Sequence, residues 1–325
     1  MISVAIDTGI LTNVALFASF SIVYAVLAIG FNLQWGYTGL FNAGIAGFFL
    51  IGAYTAAIIT TPPDPPTVLG GVVIVPGHWG GLSWPFVVGA SFAMIFSGLA
   101  AALIAIPTLR LRADYLAIAT LAFAEIIRRV TINFDTFTGG TNGITRIPRL
   151  VTYEPPDPFA GGMVLLGVGA LVLLAVFLLL HFTLESPWGR VLRAIREDEV
   201  ATMALGKNTL LSKIQAFALG GAIMGLAGAL FIETKSYLDP QDFAPALATF
   251  PIWVMVIVGG AANNRGVIIG AFLIYGMEYV SVLLKDYVAS NAIYYVRLMI
   301  IGALLIILII YRPQGLLPER RRVLK

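Results

Sequence analysis

Three arginines spaced three apart, Arg190, Arg193 and Arg196, run directly into Glu197, Asp198 and Glu199. A segment with charges of both signs can lie on anionic lipid, stand in water, or fill a groove in a partner protein. A second cluster has Glu125 three and four residues ahead of Arg128 and Arg129, the separation at which opposite charges meet on a helix. Residues for hydrolytic or metal chemistry are missing. There is no GxxxxGK[ST] loop for nucleotide phosphates, no GxSxG elbow and no HExxH helix, and His78 and His181 are far apart without a ligand pattern. The absence of cysteine excludes disulfides and thiolate-held metals. The chain is expected to be no enzyme and to bind no cofactor or metal itself.

These groups are set in an apolar chain. Of 325 residues, 59% are hydrophobic and 11% charged, with a mean hydropathy of +0.91, which is far outside soluble composition. Apolar runs lie near 11–32, 38–60, 85–106, 114–133, 161–183, 213–233, 248–262, 267–284 and 294–311. They predict an all-α, polytopic membrane helical bundle of about nine transmembrane spans, within a range of eight to ten. The basic connections, "LRLRAD", the arginine segment and the tail at 312–325, fall on one side in this count. Positive-inside then makes that side cytoplasmic, with the N-terminus outside and the C-terminus cytoplasmic. The long connections at 61–84 and 138–159 face the other way.

Glycine is dense in "GYTGLFNAGIAGFFLIGAY" and "GGAIMGLAGAL". Two readings fit. Small residues let helices pack closely, or the first run is a helix opened to line a pathway, with Tyr37, Asn42, Gly44 and Gly47 along it. Glu125 likewise either neutralises its arginines or marks a polar point on that pathway.

The arginine segment itself reads as a bracketed helix. Ser186-Pro187 is a start signal, serine as N-cap and proline at the first helical position, and Gly206 is a stop. On a helical wheel the three arginines share one arc, and Val191, Leu192, Ile195 and Met203 an adjoining one. Acids in the middle and the small, apolar ending "VATMALG" suit a protein groove better than a lipid surface.

"EDEVATMALG" resembles the cytoplasmic coupling loop of ABC importer membrane subunits, with Glu199, Ala201, Ala204 and Gly206 at the pattern positions. The stretches "GFNLQWGYTGLFNAGIAGFFLIGAYTAA", "LRLRADYLAIATLAFAEIIRRV", "FTGGTNGI", "SPWGRVLRAIREDEVATMALG" and "YRPQGLL" extend the resemblance, in order, to the LivM-type permeases of the branched-chain amino-acid ABC importer family. The resemblance implies a single ABC-importer permease domain over 1–325, with a coupling segment at 186–212. Arg190, Arg193, Arg196, Glu197, Glu199, Ala201, Ala204, Leu205 and Gly206 would serve ATPase coupling. It further implies a prokaryotic inner-membrane importer with a second related permease, two cytoplasmic ATPases and an extracytoplasmic substrate-binding protein, and no nucleic acid partner. ATP and magnesium would sit on the ATPases. Branched-chain or other neutral amino acids are the expected cargo. Urea or short amides are the alternative within the family, and an ion-coupled secondary transporter is the alternative from another class.

Overall fold

Helices dominate because lipid offers backbone N–H and C=O groups no partner, so each span must satisfy its own. The computed structural model describes residues 2–62, 67–69, 72–75, 81–148, 150, 158–235, 237–284 and 292–319. In chain order the helices are α1 (Ile2–Asn32), α2 (Ile45–Thr60), α3 (Phe86–Thr108), α4 (Ala113–Asn133), α5 (Asp135–Thr138), α6 (Pro158–Glu185) and α7 (Pro187–Glu197). They continue with α8 (Glu199–Ala204), α9 (Thr209–Lys235), α10 (Pro245–Ala248), α11 (Phe250–Gly259), α12 (Asn264–Leu284) and α13 (Ala292–Tyr311).

The expected spans are modified in two places. The run at 38–60 is helical only from Ile45, and the run at 248–262 yields α11, whose 10 residues reach about 15 Å, half a hydrocarbon core. Among the described residues four segments are long and apolar enough to cross by themselves: Leu11–Tyr37, Phe86–Thr108, Phe159–Glu185 and Thr209–Lys235. The chain is also not purely α. Strands β1 (Thr67–Leu69) and β2 (Val72–Val75) pair antiparallel, Leu69 opposite Val72, within a connection read as a loop. Its β-branched residues flank Gly70-Gly71 in sequence, the composition that favours a tight hairpin. His78 and residues 320–325 of the basic tail lie outside the described residues.

Helix α9 is the centre of the bundle, and glycine is what lets three neighbours reach it. A Cβ on Gly220 would lie 2.8 Å from the Gly30 carbonyl oxygen of α1, one on Gly221 2.4 Å from Ala101 of α3, and one on Gly228 2.4 Å from the Phe49 carbonyl of α2. Where α2, α3 and α9 meet, Ser97 Oγ donates to the Phe48 carbonyl at 3.0 Å and the Gly221 carbonyl at 2.8 Å. Apolar contact with lipid cannot drive such packing, so close backbone approach and buried hydrogen bonds carry it. α11 and α12 form a second tight pair, a Cβ on Gly270 falling 2.1 Å from the Met255 carbonyl.

Candidate functional site

Two features stand out from the packed spans: an interruption between α1 and α2, and the elbow α7–α8. At the interruption α1 first widens into a π-helical turn, Leu33–Tyr37, and the chain then runs non-helically to Gly44. Unwound backbone is tolerated at membrane depth only where protein or water satisfies it. Here side chains do so. Asn42 Nδ2 donates to Gln34 Oε1 at 2.7 Å, Gln34 Nε2 donates to the Phe217 carbonyl at 2.8 Å, and Asn42 Oδ1 accepts from Gly44 N at 2.7 Å. Asn32 Nδ2 donates to Asn264 Oδ1 at 2.8 Å, and Asn32 Oδ1 accepts from Ala262 N at 2.9 Å. Thr120 and Thr249 accept the Ala43 and Ala46 amides.

Asn32, Gln34 and Asn42 have no exposed surface. A Cβ on Gly44 would meet the Thr120 carbonyl at 2.4 Å and one on Gly47 the Ala124 Cα at 2.8 Å. The structure therefore places Asn42, Gly44 and Gly47 inside the fold, Asn42 in a polar clamp and the glycines against α4. Tyr37, also buried, borders a cavity of about 660 Å³ beside His181, Arg193, Arg265 and Glu319. Asn32, Gln34 and Asn264 were missed by the sequence reading, although amides in apolar runs are a usable signal. Gln34→Leu would strand the Asn42 amide and the Phe217 carbonyl. An unsatisfied buried group costs about 1–3 kcal/mol, so the thermal unfolding midpoint in detergent is expected to fall by several degrees. An unchanged midpoint would show that the clamp does not hold the interruption.

The elbow is two helices, not the single one expected. Asp198 leaves helical geometry at φ −153°, and its Oδ1 accepts from Ala201 N at 2.9 Å, capping α8. Ser186 does occupy the N-cap position of α7, but its hydroxyl donates to the Thr183 carbonyl rather than accepting from α7. Gly206 ends α8 at φ +76°, with Gly206 N on the Met203 carbonyl and Lys207 N on the Thr202 carbonyl, the paired bonds of a Schellman stop.

The arginines divide. Arg190 is exposed, whereas Arg193 Nη2 donates to the Leu184 carbonyl at 2.8 Å, near the end of α6. Arg196 reaches furthest: Nη1 donates to the Gly36 carbonyl at the π turn, and Nη2 pairs with Glu319 Oε2 of the tail at 2.8 Å. One side chain thus joins the elbow, the interruption and the tail. Glu199 pairs with Lys213 of α9, while Glu197, Ala201, Ala204, Leu205 and Gly206 are exposed. Leu192 and Ile195 are buried, but Val200 at 72%, Met203 at 48% and Leu205 at 79% exposure point away from the chain's own core. Glu125, 29% exposed, holds Arg128 at 2.9 Å and Arg129 at 2.8 Å. Among the described residues no cluster of His, Asp or Glu could hold a metal ion.

A polytopic helical bundle with a glycine-packed core, an internally clamped helix interruption and a charged elbow outside the spans is the build of a membrane transport subunit. The chain belongs to the family described as branched-chain amino acid transport system / permease component, which it matches over residues 13–309. It is 32% identical to the high-affinity branched-chain amino acid transport system permease protein LivM of Salmonella typhimurium, over 95% of this chain and 71% of that protein. A probable LivM of Methanocaldococcus jannaschii is 27% identical over 92% of this chain and 91% of its own length. LivH of Escherichia coli, also a permease of a branched-chain amino acid system, is 23% identical over 92% and 93%. No solved structure matches the chain. It is a multi-pass protein of the prokaryotic inner membrane.

Proposed function

We propose that this chain is one permease subunit of an ATP-driven importer for branched-chain or other neutral amino acids, paired with a second related permease. Two cytoplasmic ATPases bind and hydrolyse ATP with magnesium, and an extracytoplasmic binding protein delivers the substrate. The observation that carries this reading is the elbow: in a chain of this family, α8 turns Val200, Met203 and Leu205 outward beyond the membrane spans. Solvent-exposed apolar side chains grouped on a short helix fit a groove in a partner.

Coupling follows from what the elbow is tied to. Movement of the ATPases displaces α8, the Lys213 pair passes the displacement to α9, and Arg196 passes it to the carbonyl where α1 unwinds. A ligand-driven shift works only through contacts that differ between states, and Arg196 is placed to change its contacts. Reconstitution of the permease with its partners in liposomes is expected to give leucine uptake that needs ATP and the binding protein. Uptake without ATPases, driven by an ion gradient, would overturn the proposal.

The proposal has the N-terminus outside and the elbow and tail in the cytoplasm. Support comes from the Arg196–Glu319 pair, which puts elbow and tail on one face of the molecule. Because the chain has no native cysteine, Lys207→Cys and Gln314→Cys supply single exposed labels. Both are expected to react with a membrane-impermeant maleimide only after cells are opened. Labelling of either in intact cells would reject this orientation.

A further inference from the structure

Helix α4 carries Glu125 and Arg129 on the face turned away from the bundle. Its buried side carries Leu116, Thr120, Ala124 and Thr131. Glu125 and Arg129 lie about 40° apart on the opposite side at 100° per residue. Ile118, 63% exposed, and Leu121, 38% exposed, continue the same stripe toward the start of the helix. At 1.5 Å per residue Glu125 lies about 18 Å and Arg129 about 24 Å from Ala113, in the second half of the 21-residue helix. Ionised groups on a helix of a membrane bundle face water or protein.

The three charges are unequally committed. Arg128 grips Glu125 with Nε and Nη2, both at 2.9 Å, gives Nη1 to Gln241 at 3.2 Å, and is 14% exposed. Arg129 gives only Nε to Glu125 Oε1, at 2.8 Å, and its side chain is 71% exposed. Its two terminal nitrogens have no hydrogen-bond partner among the described residues. The Nε bond fixes the plane of the guanidinium and turns its remaining N–H edge outward, the geometry that receives a carboxylate bidentately. One carboxylate for two guanidiniums leaves the trio net positive. Glu125 Oε2 accepts a single bond, from Arg128 Nε, leaving a lone pair for an ammonium.

Resting on the importer reading above, we propose that Arg129 and Glu125 form a substrate contact on the translocation pathway. The Arg129 fork receives the α-carboxylate of a zwitterionic amino acid, Glu125 faces its ammonium, and Ile118 and Leu121 lie beside its apolar side chain. Arg128 is a positioning residue that holds Glu125 and ties it to the Pro240–Phe243 turn.

The test uses the assembled transporter with both permeases, the ATPases and the binding protein in liposomes. ATP-dependent leucine uptake by the parent is measured first, and its absence rejects the importer reading rather than this site. Ile118→Cys, the only cysteine in this chain, is then treated with a water-soluble anionic thiosulfonate. It is expected to react, and saturating leucine to slow the reaction at least threefold. Adding Arg129→Gln should leave the cysteine reactive but remove leucine protection, while uptake falls at least tenfold and the ATPases still co-purify. No reaction at position 118 would mean a lipid-facing or protein-covered stripe and overturns the proposal. So does reaction without leucine protection in the parent background. Loss of the second permease on purification of the Arg129→Gln transporter would assign Arg129 to the subunit interface and equally overturns it.

Discussion

Replacing Ala204 with glutamate is expected to abolish coupled uptake while the chain inserts and folds as before. Ala204 is the last residue of α8 and is exposed, so its own bundle has nothing to lose by the change. It shares a helix face with Val200, four positions earlier, and is flanked in sequence by the outward Met203 and Leu205. If that face fills a groove in an ATPase, a longer side chain overpacks it at about 1–3 kcal/mol, and burying the carboxylate adds to that. At about 1.4 kcal/mol per factor of ten, docking weakens at least about tenfold. The ATPases should then fall away on purification, or hydrolyse ATP without uptake. Arg190→Glu is the useful contrast. Arg190 is exposed on α7, and a rim charge acts mainly through screened attraction, so a smaller loss that is greatest at low ionic strength and shrinks as salt rises is expected. Full uptake by Ala204→Glu would return residues 186–212 to the status of a solvated loop.

What could be read from the sequence depends on whether the deciding interaction was local. The Glu125 contacts were legible because a spacing of three and four residues on a helix is itself the geometry. The small-residue packing of α9 was legible for a similar reason: glycines have few other uses in an apolar helix. Gly206 as a stop was legible because a left-handed residue after a helix is most often glycine.

The break at Asp198 was not legible. Three acids in a row read as the middle of a single helix, and only the fold shows that Asp198 leaves it and turns back to cap α8. The late start of α2 at Ile45 was also hidden, since Leu40, Phe41 and Ala43 carry the apolar run back across Asn42 to Thr38 without a break that marks a helix end. The clamp was out of reach for a further reason. Asn32 and Asn264 are separated by 232 positions, and no periodicity links them. Arg193 and Arg196 show the limit most directly. The wheel placed them correctly on one flank of α7, but the carbonyls they reach, Leu184 and Gly36, belong to helix ends whose positions depend on the whole bundle.

Gly225→Leu is expected to prevent the chain from folding at all. A Cβ at 225 would lie 2.5 Å from the Ala93 carbonyl oxygen and 2.5 Å from Ser97 Cβ, both on α3. From the other side, α2 comes so close that a Cβ on Gly52 would stand 2.4 Å from the Gly225 Cα. Backbone on both flanks cannot rotate away as a side chain can, so α2 or α3 must move, and with it the Ser97 hydroxyl that bonds both neighbours. Overpacking of an ordinary core costs about 1–3 kcal/mol; here the cost exceeds that, against a total stability of about 5–15 kcal/mol. Propensity points the other way, since leucine favours a helix over glycine by somewhat less than about 1 kcal/mol. A fall in stability would therefore report packing alone. Gly167→Leu in α6 is the control, because a Cβ there meets nothing within 4 Å. Its yield of monodisperse protein in detergent and its unfolding midpoint should match or exceed the parent's, while Gly225→Leu gives little or no folded material. Equal behaviour of the two variants would mean that the α2–α3–α9 junction is not the packed centre of the bundle.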